Sequence, residues 1–148
     1  MSTIKPLDGI KVIEISTIIT ASLSAMMLSD QGAEVIKIEQ TGFGDPLRYL
    51  GTQKGGISAI FANTNRGKKS VELDLKTESD LERAQKLISE ADVLINNFRP
   101  GVMDSLGLGK DDCKTLNKNL IYVAITGFGK EGPYANAPAY DHVVQAMS

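Results

Sequence analysis

Short runs rich in Val and Ile recur along this chain, and segments with helical character separate most of them. The runs are KVIEIS, EVIKIE, SVELDL, DVLINNF and NLIYVAIT. Parallel strands that are buried on both faces are typically continuous, rich in branched residues and connected through helices. The alternation therefore predicts an α/β fold, with a Rossmann-like, mostly parallel sheet and helices on both faces.

The segments between these runs carry helical spacing. Thr20 can cap the first helix and Gly32 suits its end, and we expect its inward face to hold Leu23, Met26 and Met27. Thr77 and Asp80 form a capping-box pattern for a later helix, whose inward residues are expected to be Leu81, Ala84, Leu87, Ile88 and Ala91. Shorter helices are predicted near residues 58–62, within RPGVMDSLGLG and at KDDCKTLN.

Composition excludes several classes of protein. The 148 residues carry a net charge of −2, and their basic residues form no long stripe, so we expect no nucleic-acid partner. No apolar run reaches the length of a membrane span and the N-terminus has no signal peptide, so neither a membrane nor secretion is expected. The single Cys113 has no metal-ligand spacing around it. The default expectation is a cytoplasmic protein without a metal.

Two polar groups could bind an anionic ligand, although the chain has neither a G-x-G-x-x-G fingerprint nor a P-loop. Arg66, Lys68 and Lys69 offer cations to a phosphate, or they are ordinary charges of a solvated loop, which we favour. NNFRPG follows a buried strand, and open α/β sheets bind ligands at the carboxyl ends of strands. Its side chains at 97–99 suit an adenine nucleotide, or the segment is simply a tight turn.

The consecutive residues Tyr140, Asp141 and His142 combine a phenol, a carboxylate and an imidazole. Neighbouring positions do not share a helix face, so we do not expect these three groups to act as one cluster.

Six stretches together resemble the class III CoA-transferase family, which includes formyl-CoA, carnitine and bile-acid CoA-transferases and α-methylacyl-CoA racemases. They are PLDGIKVIEIS, LSDQGAEVIKIEQTGFGDPLR, NRGKKSVELDLK, ADVLINNFRPGVMDSLGLG, LIYVAITGFGKEGPY and YDHVVQAMS. They follow the family order and spacing over essentially the whole chain.

The resemblance implies an enzyme that moves CoA from an acyl-CoA to a carboxylic acid through an aspartyl-CoA intermediate. It implies coenzyme A as the bound cofactor and an interlocked homodimer. It also implies that residues 1–148 are the N-terminal part of the large domain, without the small domain and the closing C-terminal segment. The nucleophilic Asp is expected beyond Ser148, and the apolar helix pattern of Val143, Val144 and Met147 stops just after it begins. The isolated chain is therefore expected to be inactive.

By the same resemblance, the residues that contact CoA are Leu73, Asp74, Leu75, Lys76, Asn97, Phe98, Arg99, Pro138 and Ala139. The supporting pocket beside the acyl group is expected to contain Ile19, Tyr140 and Asp141. No catalytic residue and no metal ligand is expected within the chain.

Several positions depart from the family pattern. Ile19 replaces a Gln of the formyl-CoA branch, which disfavours oxalate or formate and suits a less polar acid. Gln40 and Ser105 stand where that branch has CoA-binding arginines. Tyr140 stands where the racemases have a His, which disfavours, but leaves open, a racemase or epimerase. A non-catalytic CoA-binding module is the other alternative.

Overall fold

A five-stranded parallel sheet organises the structure, a computed structural model that describes residues 5–148. Its strands are β1 (Lys11–Ile15), β2 (Glu34–Glu39), β5 (Lys69–Glu72), β6 (Val93–Asn96) and β7 (Ile121–Ala124). A short antiparallel hairpin of β3 (Gln53–Lys54) and β4 (Ile57–Ser58) lies apart from this sheet. The predicted parallel α/β fold is confirmed.

The order of strands in the sheet is β5-β2-β1-β6-β7. The chain runs outward from β1 to β2 and β5, then returns to the other side of β1 to add β6 and β7. The strand order therefore reverses between β1 and β6. This is the Rossmann arrangement, and such a reversal opens a crevice at the carboxyl ends of the two strands.

Six helices occur within residues 5–148: α1 (Thr20–Asp30), α2 (Ala59–Asn65), α3 (Glu78–Ser89), α4 (Val102–Ser105), α5 (Lys110–Leu116) and α6 (Asp141–Met147). A 3₁₀ turn adds Pro46–Arg48. None of the helices in this range is long and apolar enough to cross a membrane.

Two apolar clusters cover the two faces of the sheet. Ile13 and Leu94 belong to the first, together with Ala84 and Ile88 of α3 and Cys113 of α5. The second cluster joins the opposite side chains of the same strands, such as Val12 and Val35, to α1. Because successive strand side chains point to opposite faces, one strand sequence supplies both clusters.

The inward face of α1 differs from the expectation. Met26 is buried, but Leu23 is 40% and Met27 56% exposed, and the other buried residues are Ala21, Ser22 and Ala25. The Ser22 hydroxyl donates to the buried Glu14 carboxylate at 2.9 Å, and this bond turns the Ser22 side of the helix toward the sheet. The apolar spacing alone was ambiguous because α1 has apolar residues on both sides.

The predicted cap of α1 is wrong, and Thr77 stands at the predicted cap position of α3 without forming the capping box. Thr20 is the first residue of α1 rather than its cap, and it accepts a hydrogen bond from Asn97. Thr77 precedes α3 but makes no side-chain cap; its hydroxyl donates to the Asp74 carbonyl, while the Asp80 carboxylate accepts from the Asp74 N–H. These polar groups bond to neighbouring loops instead of to their own helix. Gly32, with φ of +109°, does follow the end of α1 as expected.

Candidate active-site crevice and the charged groups around it

The loop between β1 and α1 forms one wall of the crevice. Ile18 in this loop has a φ of +63°, which is rare for a β-branched residue. The Asp45 carboxylate accepts a hydrogen bond from the Ile18 N–H at 3.1 Å. Ile19, predicted to line the acyl pocket, follows directly and is 42% exposed. The loop therefore presents an exposed apolar side chain after the carboxyl end of β1.

Asn97 forms the opposite wall, just after β6. Its amide oxygen accepts from the Thr17 N–H at 3.1 Å, and its amide nitrogen donates to the Thr17 carbonyl at 2.7 Å and the Thr20 hydroxyl at 3.1 Å. The predicted nucleotide contact thus joins the two strands at which the order reverses. Its side-chain amide makes three hydrogen bonds, two to Thr17 of the loop and one to Thr20 of α1, so it ties the loop to the end of β6.

A buried group of charges, which we call the ionic cluster, lies beneath this loop: Glu14, Lys37, Asp45 and Lys68. The Lys37 ammonium lies 2.5 Å from a Glu14 oxygen and 2.9 Å from the second Asp45 oxygen, the latter as an ionic contact without hydrogen-bond alignment. The Lys68 ammonium donates to the other Glu14 oxygen at 2.6 Å and to the Ser22 carbonyl at 2.7 Å. Two carboxylates therefore face two ammonium groups, and each charge is compensated.

The pKa values of this cluster follow from burial and pairing. Burial would raise the pKa of Glu14, but Lys37 and Lys68 outweigh it and hold the pKa below its ordinary value. Burial lowers the pKa of Lys68, which Glu14 offsets only in part. A paired, deprotonated Glu14 cannot act as a general acid at neutral pH, so these charges support the structure of the crevice.

A second carboxylate, Glu39, ends β2 beside the cluster. It accepts from the Arg48 guanidinium at 2.6 and 2.8 Å, from the Ser70 hydroxyl at 2.6 Å and from the Asp45 N–H at 2.8 Å. Burial opposes ionisation of Glu39, but these donors prevail and lower its pKa to about 2. Arg48 also lies 4.0 Å from the centre of the Phe61 ring. The segment at 45–48 is therefore firmly attached to β2.

The favoured interpretation of surface charges holds for Arg66 and Lys69 but is wrong for Lys68. Lys68 is neither a solvated charge nor a free cation, because it is bonded to Glu14 in the interior. Arg66 and Lys69 are exposed, but they pair with Asp30 and Glu34. The loop folds back over α1, so all three cations already have carboxylate partners.

A cavity of about 220 Å³ opens after β6 and β7. Its lining includes Phe98, Arg99, Asp104, Lys110, Tyr122 and Lys130. No ion pair within residues 5–148 involves any of its three cations. Burial raises the pKa of Tyr122 to about 12, so its phenol is a neutral donor, bonded to the Leu108 carbonyl. The cavity is smaller than the roughly 300–1,000 Å³ of whole-ligand pockets, so it can hold one part of a nucleotide.

The other predicted CoA contacts lie at the same edge of the sheet. Leu73 follows β5 and is buried, and Leu75 packs on the same apolar cluster as Phe98. Asp74 and Lys76 are exposed, and the Asp74 carboxylate accepts from the Lys76 N–H at 3.1 Å. Leu73 therefore lies at the carboxyl end of β5 and Asn97 at the carboxyl end of β6. In the sheet, β2 and β1 lie between these two strands.

The segment at 138–141 approaches the loop after β7. A methyl group placed on Gly127 would lie 2.0 Å from the Ala139 side chain, so Gly127 is required by this close approach. Pro138 is exposed, Tyr140 is 63% exposed, and the Asp141 carboxylate accepts a hydrogen bond from the Gln145 side chain of the same helix. Among the described hydrogen bonds none joins Tyr140 or Asp141 to Ile19. Val143, Val144 and Met147 of α6 are 40–53% exposed.

Sequence reasoning missed the ionic cluster, although a signal was present. Glu14 and Lys37 are opposite charges flanked on both sides by isoleucine inside β1 and β2, and they are direct partners in the β1–β2 register. Asp45 carried no such signal, because only the folded chain brings GFGDP beneath the first loop. Cys113, by contrast, is an ordinary core residue whose pKa is raised to about 11 by burial.

Known proteins resemble this chain over nearly all of its length. The model for CoA-transferase family III matches residues 7–148. Acetyl-CoA:oxalate CoA-transferase of Acetobacter aceti is 45% identical over 143 residues, which cover 97% of this chain and 37% of that protein. Succinate–glutarate CoA-transferase of Agrobacterium fabrum is 41% identical over 150 residues, covering 97% of this chain and 38% of the relative.

Solved structures agree. A crystal structure of a CAIB/BAIF family protein from Brucella suis has a TM-score of 0.91 and 42% identity, covering 97% of this chain and 39% of that one. The chain thus spans little more than a third of the length of the relatives it matches. With a family match over residues 7–148 and the Rossmann sheet in place, the chain belongs to CoA-transferase family III.

Proposed function

We propose that this chain supplies the CoA-binding part of an enzyme that transfers CoA from an acyl-CoA to a carboxylic acid. The observation that carries the proposal is the position of Phe98 and Arg99. They follow β6 at the reversal of strand order, and both line a cavity with three cations and one carboxylate. An aromatic face with nearby cations suits an adenine ring and its phosphates.

The chemistry proposed for the whole enzyme is nucleophilic catalysis by a carboxylate. An aspartate attacks the carbonyl carbon of the acyl-CoA and expels the CoA thiolate, leaving a mixed anhydride. The thiolate then attacks the aspartyl carbonyl, which releases the donor acid and forms aspartyl-CoA. The acceptor acid takes the CoA by the reverse of these steps.

In this proposal no carboxylate of residues 1–148 is the nucleophile. Glu14 and Glu39 are bonded to buried or partly buried cations, and Asp45 is bonded to backbone N–H groups. Asp141 is exposed at the start of α6. The role of the chain is therefore to bind and orient CoA, and Ile19 favours an acid less polar than oxalate.

The proposal is tested by CoA binding to the chain and to two arginine variants. Arg99→Ala removes a charge-assisted contact and is expected to weaken binding by about 1.5–3 kcal/mol. Arg83→Ala is the matched control, because Arg83 is an exposed partner of Asp80 on α3. Isothermal titration calorimetry with CoA measures all three affinities. Absence of binding to the unchanged chain, or equal affinities for Arg99→Ala and the control, would contradict the proposal.

A further inference from the structure

Ile18 has an unusual backbone conformation at the crevice. Its φ of +63° lies in the left-handed region, where a β-branched side chain is a true outlier. Residues in such conformations persist only where the surroundings hold them, and they concentrate at functional sites. Ile18 immediately precedes Ile19, whose side chain is exposed.

The loop is held from both sides. Asn97 bonds to both backbone groups of Thr17, so the residue before Ile18 is attached to β6. The N–H of Ile18 itself donates to one oxygen of Asp45, which also accepts from the Leu47 N–H at 2.9 Å. Asp45 is 1% exposed, and its other oxygen faces the Lys37 ammonium.

We infer that Asp45 is a positioning residue, which holds Ile18 in the left-handed conformation and so directs residues 18–20 into the crevice. Lys37 fixes the carboxylate, the carboxylate fixes the Ile18 N–H, and the backbone then sets the direction of Ile19. The expectation that CoA affinity depends on this loop rests on the proposed function. The position of the loop itself does not depend on it.

A purely structural role for Asp45 is the competing explanation, because it also caps the 3₁₀ turn and compensates Lys37. The two explanations differ in whether the effect of substituting Asp45 depends on the residue at position 18. Glycine adopts positive φ without steric cost. If Asp45 serves to hold Ile18, then substituting Asp45 should have a much smaller effect in the Ile18→Gly background.

The experiment is a double-mutant cycle of Asp45→Asn and Ile18→Gly, with CoA affinity measured by calorimetry. Asp45→Asn preserves the shape of the side chain and leaves Glu14 as a carboxylate partner of Lys37, and Asp45→Ala is the stronger second variant. We expect Asp45→Asn to weaken CoA binding about tenfold with Ile18 present, and about twofold or less in the Ile18→Gly background. Asp30→Asn, which changes a surface partner of Arg66, is the control and should leave the affinity unchanged. An equal loss in both backgrounds would overturn the inference.

Hydrogen exchange of the segment at 16–20, followed by mass spectrometry, provides a readout without CoA. Asp45→Asn should accelerate exchange of this segment while exchange of β1 and β6 stays the same. Unchanged exchange at 16–20 would overturn the inference whatever CoA does. Faster exchange, in a chain that fails to bind CoA even without substitutions, would support the positioning role and reject the proposed function. The two claims can therefore fail separately.

Discussion

Charged side chains at the carboxyl edge of the sheet are arranged in opposite ways on its two sides. Beneath the β1–α1 loop, the ionic cluster of Glu14, Lys37, Asp45 and Lys68 is buried and its charges are paired. Around the cavity after β6 and β7, Arg99, Lys110 and Lys130 have no carboxylate partner in an ion pair within the described range.

The two regions use charge in different ways. In the interior, an uncompensated charge is costly, so the cluster holds backbone segments in one arrangement. Near the surface, charges are hydrated and can exchange water for an anionic ligand at little cost. Substitution of the cluster lysines should therefore act mainly on folding, and substitutions around the cavity mainly on binding, whereas Asp45 also positions the β1–α1 loop through the Ile18 N–H.

The largest effect is expected when Lys37 is changed. Lys37→Met preserves much of the side-chain volume but leaves Asp45 and one Glu14 oxygen without their cation. Removing one partner of a buried ion pair typically costs about 3–5 kcal/mol. Urea unfolding monitored by circular dichroism measures the free energy of unfolding. Lys69→Met, which affects only the exposed pair with Glu34, is the control and should cost less than about 1 kcal/mol. A similar loss for both variants would remove the contrast between buried and surface charges.

Acidification should produce the next largest effect, through Glu39. Burial raises its pKa, but Arg48, Ser70 and the Asp45 N–H lower it to about 2. Because the folded-state pKa is below the unfolded value, the stabilisation is present above about pH 4.5 and is lost as the pH falls toward 2. The loss attributable to Glu39 is about 2–3 kcal/mol.

Unfolding by urea at several pH values between 6 and 3 measures this dependence. Glu39→Gln removes the titrating group, so the stability gap between the chain and this variant should narrow as the pH falls. A gap that stays constant over this range would show that Glu39 does not titrate with a lowered pKa. Glu14, whose pKa is also lowered, titrates in both proteins and therefore cancels in the comparison.

The smallest effect is expected at the cavity lysines. Lys110→Ala and Lys130→Ala should each weaken CoA binding by about 0.5–1 kcal/mol, because exposed charges are largely screened. Neither change should alter the free energy of unfolding by more than about 0.5 kcal/mol. Calorimetry at low and high salt measures the effect, which should shrink with added salt. Lys86→Ala, on the exposed side of α3, is the control, and an equal loss there would mean that the cavity cations are not specific.

The sequence alone was sufficient for the parallel α/β class of the fold, and the structure supplied the order of the strands. Its Val- and Ile-rich runs and the helices between them predicted five parallel strands, because periodicity and branching are local properties of the chain. The motifs from PLDG to YDHV likewise indicated the family. They also indicated that Phe98 and Arg99 would follow a buried strand.

Only the tertiary structure decided which groups meet. Three features depend on contacts between separate segments of the chain: the inward face of α1, the burial of Lys68, and the hydrogen bond from Ile18 to Asp45. A lysine is expected at the surface unless a carboxylate on another strand compensates its charge. Likewise, a left-handed Ile is unfavourable unless another segment holds it, here through a carboxylate that accepts its N–H. Such compensation is a property of spatial proximity, which local sequence patterns do not encode.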